Sequence, residues 1–203
     1  FTGLLLYPYW LPPILSSFAG LAGDITGLST LNPVVIAQQG LALAIRVLAS
    51  AIAAGWVFPG AGLLGSFIGG VAAFGVALSF IAIAAVLLKT LIESWIVVAA
   101  GPIFLGFAPF RFTAQLADNF LAYAFEVGLK FFFLLLMTAA AGGLAQVWAQ
   151  QLTGLTIVSL ELILEVLAGS ILLAVALWTV PTRVADALTR GMSFGLAKGL
   201  AED

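Results

Sequence analysis

The chain has 203 residues, of which 63% are hydrophobic and 8% charged, and its formal net charge is −2. Soluble domains run near half apolar and a quarter charged, so a water-soluble globule of this composition would lack polar surface, and the chain belongs in lipid. Neither Cys nor His occurs, which excludes structural disulfides, thiol catalysis, imidazole acid–base chemistry and the usual zinc and haem ligand sets. The seven Lys and Arg are scattered, so no basic surface can hold nucleic acid by counterion release, and any contact with DNA would be passage rather than grip. Counted in crossings of ~20 apolar residues, the length fits roughly three to five.

Residues 1–13 are apolar but carry Pro8, Pro12 and Pro13, each removing a backbone donor that lipid cannot replace, so this stretch is not a clean span. It has neither the basic start nor the cleavage site of a signal peptide. Residues 16–32 are rich in Gly, Ser and Thr with the single charge Asp24, which is loop composition. Asn32 as a cap and Pro33 at a first helical position predict a helix that runs until Phe58-Pro59-Gly60. Over 34–57 this segment is long enough to cross, yet it carries Gln39, Arg46 and Ser50 at helical spacing among many Ala. Its apolar drive is therefore weak.

A Gly-rich link over 59–69 precedes an almost uninterrupted apolar run from Val71 to Ala100, closed at Gly101-Pro102, which predicts a strong spanning helix. Residues 101–119 read as a broken connector with Pro102, Pro109, Arg111 and Asp118. A third helix is predicted from about Phe120 to Trp148, a polar link over 149–154, and a fourth helix from Leu155 to Val180, ended by Pro181. The tail, 182–203, is amphipathic with Arg183, Arg190 and Lys198. The expected fold class is all-α: a polytopic helical membrane protein with three full spans and one interfacial or re-entrant helix. Its expected organisation is an outer-side loop and helical segment (1–69), a transmembrane core (70–181) and a cytoplasmic tail (182–203).

The orientation follows from the basic residues. The tail and the 101–119 connector carry Arg183, Arg190, Lys198 and Arg111, whereas residues 1–33 and both short links carry none. By the positive-inside rule the tail and connector are cytoplasmic and the links at 59–69 and 149–154 lie outside. A fully crossing first segment would put residues 1–33 in the cytoplasm without a single Lys or Arg. The segment is therefore expected to lie in the outer interface or to re-enter, with Arg46 reaching headgroups or a protein partner.

Ionisable groups at membrane depth are costly and face protein or water, which makes them functional candidates. They come in pairs at i,i+4: Lys89 with Glu93, Glu126 with Lys130, and Glu161 with Glu165, each pair sharing a helix face. The first four fall toward the cytoplasmic side and could exchange ion pairs between two helices. On one reading they only fix register and depth; on the other they border a gated or hydrated passage. Glu161 and Glu165 repel one another and stay ionised only near water or a cation. They would line a lumen as stacked acidic rings in a symmetric oligomer, or simply enter the interface, or be neutralised by Arg46.

Gly65-Ser66-Phe67-Ile68-Gly69 is a GxxxG pattern, and Gly191, Gly195 and Gly199 repeat that spacing. Such patterns allow close helix approach, within the chain or between copies. Phe131 to Phe133, with Trp95 and Trp148, read as lipid-facing bulk and interfacial anchors. No Walker A loop, nucleophile elbow or dinucleotide fingerprint is present, and no cofactor or metal is expected. Asp24 lacks a matching second carboxylate for an aspartyl protease.

The central third is more specific. Ala85-Val86-Leu87-Leu88-Lys89-Thr90-Leu91-Ile92-Glu93, Ala100-Gly101, Leu105-Gly106-Phe107, Phe112-Thr113, Leu116-Ala117, Tyr123 and Gly128-Leu129-Lys130 resemble the core of the TrbL family, polytopic inner-membrane subunits of conjugative type IV secretion systems. The resemblance covers roughly 70–200 and continues loosely through Asn32-Pro33. It implies a bacterial inner-membrane subunit, without catalysis, that oligomerises around the secretion axis, plausibly as a pentamer. It also implies stalk or minor pilin and pilin subunits as partners and transient passage of single-stranded DNA. Glu93 and Lys130 match recurrent family positions; Lys89, Glu161 and Glu165 do not clearly do so. Family members normally carry further helices before and a low-complexity tail after the region that this chain resembles, so the chain is expected to be the ordered part of a longer protein. Two other readings stay open. A secondary transporter would show inverted repeats and paired helix breaks, whereas only the break at Gly101-Pro102 is visible. A purely structural membrane anchor differs from a channel only in whether the ring is hydrated.

Overall fold

The structure is a computed structural model that describes residue 17 and residues 32–57, 62–107, 113–154 and 159–189. Four long helices account for nearly all of these residues: α1 (Pro33–Val57), α2 (Gly62–Gly106), α3 (Ala114–Gly154) and α4 (Leu160–Thr189). Among the described residues there is no strand. All four helices are long and apolar enough to cross a membrane, α1 being the least apolar. At ~1.5 Å per residue, the 45 residues of α2 and the 41 of α3 exceed the ~30 Å hydrocarbon layer. Each must tilt or project into water.

Local chemistry sets the helix starts. Asn32 Oδ1 accepts from the Val34 N–H at 3.0 Å, so Asn32 is the N-cap and Pro33 takes the first turn, where its missing N–H costs nothing. Ser159 Oγ accepts from the Leu162 N–H at 3.3 Å and caps α4, whose first turn also holds Glu161. Between α2 and α3, the Thr113 hydroxyl donates to the Phe107 carbonyl at 2.9 Å, tying the two helix ends together.

The sequence-based boundaries need four corrections. α2 does not stop at Gly101-Pro102 but runs on to Gly106 with Pro102 inside it; α3 begins at Ala114 rather than Phe120 and continues to Gly154. The Gly-rich link is helical from Gly62, and α4 starts at Leu160 and passes through Pro181 to Thr189. Apart from the later start of α4, each change extends a helix, and the reason is common. Backbone left unpaired in or near lipid costs more than a glycine, a proline or a polar residue inside a helix.

The chain divides into two compact units. Among its described residues, unit 1 comprises Leu88 to Leu136 and the end of α4 from Val180. Val97 of α2 and Phe120, Ala124 and Val127 of α3 form its core, with Ala100 and Leu121 alongside; Phe104 and Phe120 stack with ring centroids 5.1 Å apart. Among its described residues, unit 2 comprises 32–87 and 137–179. Its helices approach through small residues. A Cβ at Gly40 would run into Phe80, one at Gly69 into Ala51, and one at Gly169 would lie 2.6 Å from the Trp148 ring. Trp148 is buried against that glycine rather than facing lipid, because the absence of a side chain at Gly169 leaves room for the indole. Large apolar side chains such as Phe67, Phe74, Leu172, Trp95 and Trp178 are instead exposed, the inverse of a soluble surface.

Candidate functional site: the Glu93 and Lys130 cluster

Unit 1 gathers most of the ionisable side chains that interrupt the apolar helices. Lys89 and Glu93 lie one turn apart on α2, and Lys130 reaches Glu93 from α3. Lys130 Nζ donates to Glu93 Oε2 at 2.8 Å, while Lys89 Nζ stands 3.7 Å from Glu93 Oε1. Each carboxylate oxygen thus serves one ammonium. The pair between helices is the more protected, with side chains 14% (Lys130) and 21% (Glu93) exposed against 67% for Lys89. Thr90, next to Lys89 in sequence, is fully buried.

Tyr123, Glu126 and Lys130 follow at i, i+3 and i+7, so they share a face of α3. The Tyr123 phenol is within electrostatic reach of Glu93, Lys130 and Glu126. The Glu126 carboxyl meets a residue that sequence reasoning had assigned to the tail: it lies within hydrogen-bond reach of Asp186 on α4. Glu126 and Lys130 are electrostatic neighbours, but the ion pair of Lys130 is made to Glu93 on the other helix. Two ammoniums and three carboxyls therefore form one polar network across α2, α3 and α4 of unit 1. The signal for Asp186 was the helix-forming run Arg183-Val184-Ala185-Asp186-Ala187-Leu188 beyond a proline read as a stop.

The remaining candidates lie elsewhere. Glu161 and Glu165 on α4 are both exposed, and neither pairs with a cation among the described residues. Arg46 does not neutralise them: its Nη1 donates to the Ala149 carbonyl at 3.3 Å instead. Gly69 packs on Ala51, whereas Gly65 has open space where a side chain would stand. Gly101 is buried and Pro102 exposed, both within α2. Asp24, Gly191, Gly195, Gly199, Arg190 and Lys198 fall outside the described residues. Among the described residues no group of His, Cys, Asp or Glu could hold a metal ion.

Four lipid-length helices with apolar exteriors, and polar networks confined to helix contacts, make this a multi-pass membrane protein. The chain belongs to the TrbL/VirB6 plasmid conjugal transfer family, whose model matches residues 3–180. The match begins well before residue 70, where the resemblance in sequence becomes specific, and stops before Asp186. Among curated proteins none matches the chain. Membership makes it a membrane component of conjugative, type IV secretion-related transfer that associates with other parts of that system; the family is not a known enzyme family.

Proposed function

We propose that the chain is an inner-membrane scaffold and channel subunit of a conjugative type IV secretion system. Copies assemble into a ring, a pentamer on the family resemblance, around the transfer axis, supporting pilus assembly and the passage of DNA or protein. The outer segments dock stalk and pilin subunits. The observation that carries this reading is the network on Glu93 and Lys130. Charges placed in helices this apolar are stable only when protein or water covers them, and Lys89 still has two thirds of its side chain uncovered. A neighbouring copy or a hydrated lumen supplies the missing cover.

Three helices cross and α1 lies in the outer interface or re-enters. The weaker apolarity of α1 supports that arrangement. Glu161 and Glu165, exposed near the start of α4, give the outer mouth a negative rim. The test is conjugative DNA transfer in cells carrying Glu93→Ala or Lys130→Ala, with membrane levels of the protein measured alongside. Both variants lower transfer by an order of magnitude or more relative to Glu202→Ala at equal protein levels. Equal transfer in all three removes the cluster from the function.

A further inference from the structure

Within unit 2, α1 and α4 pack on opposite sides of α2 and α3. α1 meets α2 where Gly40 faces Phe80 and Ala51 faces Gly69, and it meets α3 where Gln39 faces Gly142 and Arg46 donates to the Ala149 carbonyl. α4 meets α2 where Leu167 faces Gly75, and α3 where Gly169 faces Trp148. At ~100° of turn per residue, Gly75 points roughly 120–140° away from Gly69 and Phe80 around α2, and Trp148 roughly 100–120° away from Gly142 and Ala149 around α3. The two outer helices therefore fill opposite grooves of the α2–α3 pair.

The same contacts fix levels along the bundle. Counted along the helices through α2 or through α3, Arg46 falls level with residues 166–168 of α4. Glu165 is thus within a turn of Arg46 in level, but on the other flank. Each flank presents one stripe at i, i+4, i+7 and i+11. On α1 the exposed stripe is Ala42, Arg46, Ala49 and Ala53; on α4 it is Glu161, Glu165, Ala168 and Leu172. Among the described residues Arg46 has no carboxylate in salt-bridge range and Glu165 no cation. Arg46 spends one donor on the Ala149 carbonyl out of the five that a guanidinium offers. Charges on helices this apolar need cover, and the charge on one flank is the complement of the charge on the other.

We propose that neighbouring copies join head to tail through these two flanks, with Arg46 of one copy paired to Glu165 of the next. The inference rests on the ring reading above and names its contact surface. Rotation about an axis along the membrane normal moves a copy sideways without changing levels, so the α1 stripe meets the α4 stripe of the neighbour in register. Leu172 then falls opposite Ala42, and the alanines of α1 let the helices approach. Because the two surfaces differ, the contact repeats around a ring instead of stopping at two copies. Glu161, one turn nearer the start of α4, stays with the outer rim.

The test is disulfide cross-linking in membranes of cells that carry the whole transfer system, using a chain with no Cys of its own. Ala42→Cys and Leu172→Cys in one chain give, on oxidation, a ladder of linked copies. The flanks of a single copy cannot bridge, since a disulfide needs Cα atoms within ~7 Å. Either cysteine alone leaves single chains; linked dimers from one of them would put like flanks together and overturn the proposal. Arg46→Glu or Glu165→Arg lowers the ladder about ten-fold, as for one lost charge-assisted contact, and the two reversals combined restore it. A ring whose native mass persists without the ladder and through both reversals overturns the pair and spares the ring. Single chains in the wild type, with no ladder, overturn both.

Discussion

Lys130 on α3 donates to Glu93 on α2 at 2.8 Å, and both side chains are largely withdrawn from the surface. Removing Glu93 strands Lys130 in an apolar setting, which costs about 3 kcal/mol, whereas removing Lys130 leaves Glu93 its contact with Lys89 and costs less. Glu93→Ala and Lys130→Ala each lower the unfolding midpoint in detergent, whereas Glu93→Leu combined with Lys130→Leu recovers most of the loss. Exchanging the two charges recovers less, because Glu93→Lys brings an ammonium beside Lys89.

Glu126 and Asp186 face one another carboxyl to carboxyl. Glu126→Gln brings its own N–H to that contact and keeps the hydrogen bond, while Glu126→Ala leaves Asp186 half-buried without it. Thermal unfolding of the two variants at neutral pH separates them: the glutamine variant stays near wild type, and the alanine variant loses about 1–2 kcal/mol.

The close helix approaches in unit 2 make a contrasting pair of substitutions. At Gly40 a methyl group would collide with Phe80, so Gly40→Ala destabilises by about 1–3 kcal/mol through overpacking. At Gly65 there is open space, and Gly65→Ala gains up to about 1 kcal/mol from helix propensity. A Gly65→Ala variant that instead loses its assembled state would assign this position to contact between copies.

Membrane orientation is tested directly because the sequence has no Cys to remove before single cysteines are introduced. A maleimide that does not cross membranes labels Asp24→Cys from outside and Lys198→Cys only after the cytoplasmic face is opened. Shielding of position 24 on the cytoplasmic side would make α1 a full crossing.

Much of this architecture is legible in the sequence because the apolar runs are long and the start of α1 has strong local chemistry: Asn32 caps it and Pro33 fits its first turn. The partnership of Glu93 with Lys130 was accessible as a possibility, since their i,i+4 neighbours mark the faces that meet. The helix ends were not legible. Pro102 and Pro181 are strong stops in water, but here they lie inside helices, since a membrane environment penalises an interrupted backbone more heavily. Gln150, Gln151 and Thr153 have loop composition yet belong to α3; polarity alone does not separate a hydrated helix end from a turn. Asp186 was missed for the same reason, as its meeting with Glu126 depends on α4 continuing past Pro181. The burial of Trp148 depends on Gly169 of another helix, which no local pattern announces.

Assembly around the Glu93 and Lys130 network is read from the mass and composition of the complex extracted in mild detergent from cells that carry the whole transfer system. The expected species is a closed ring of several copies bound to other secretion subunits, with Lys89 protected from amine labelling in the ring. A homogeneous single chain that keeps its helices, with Lys89 freely labelled, would contradict it.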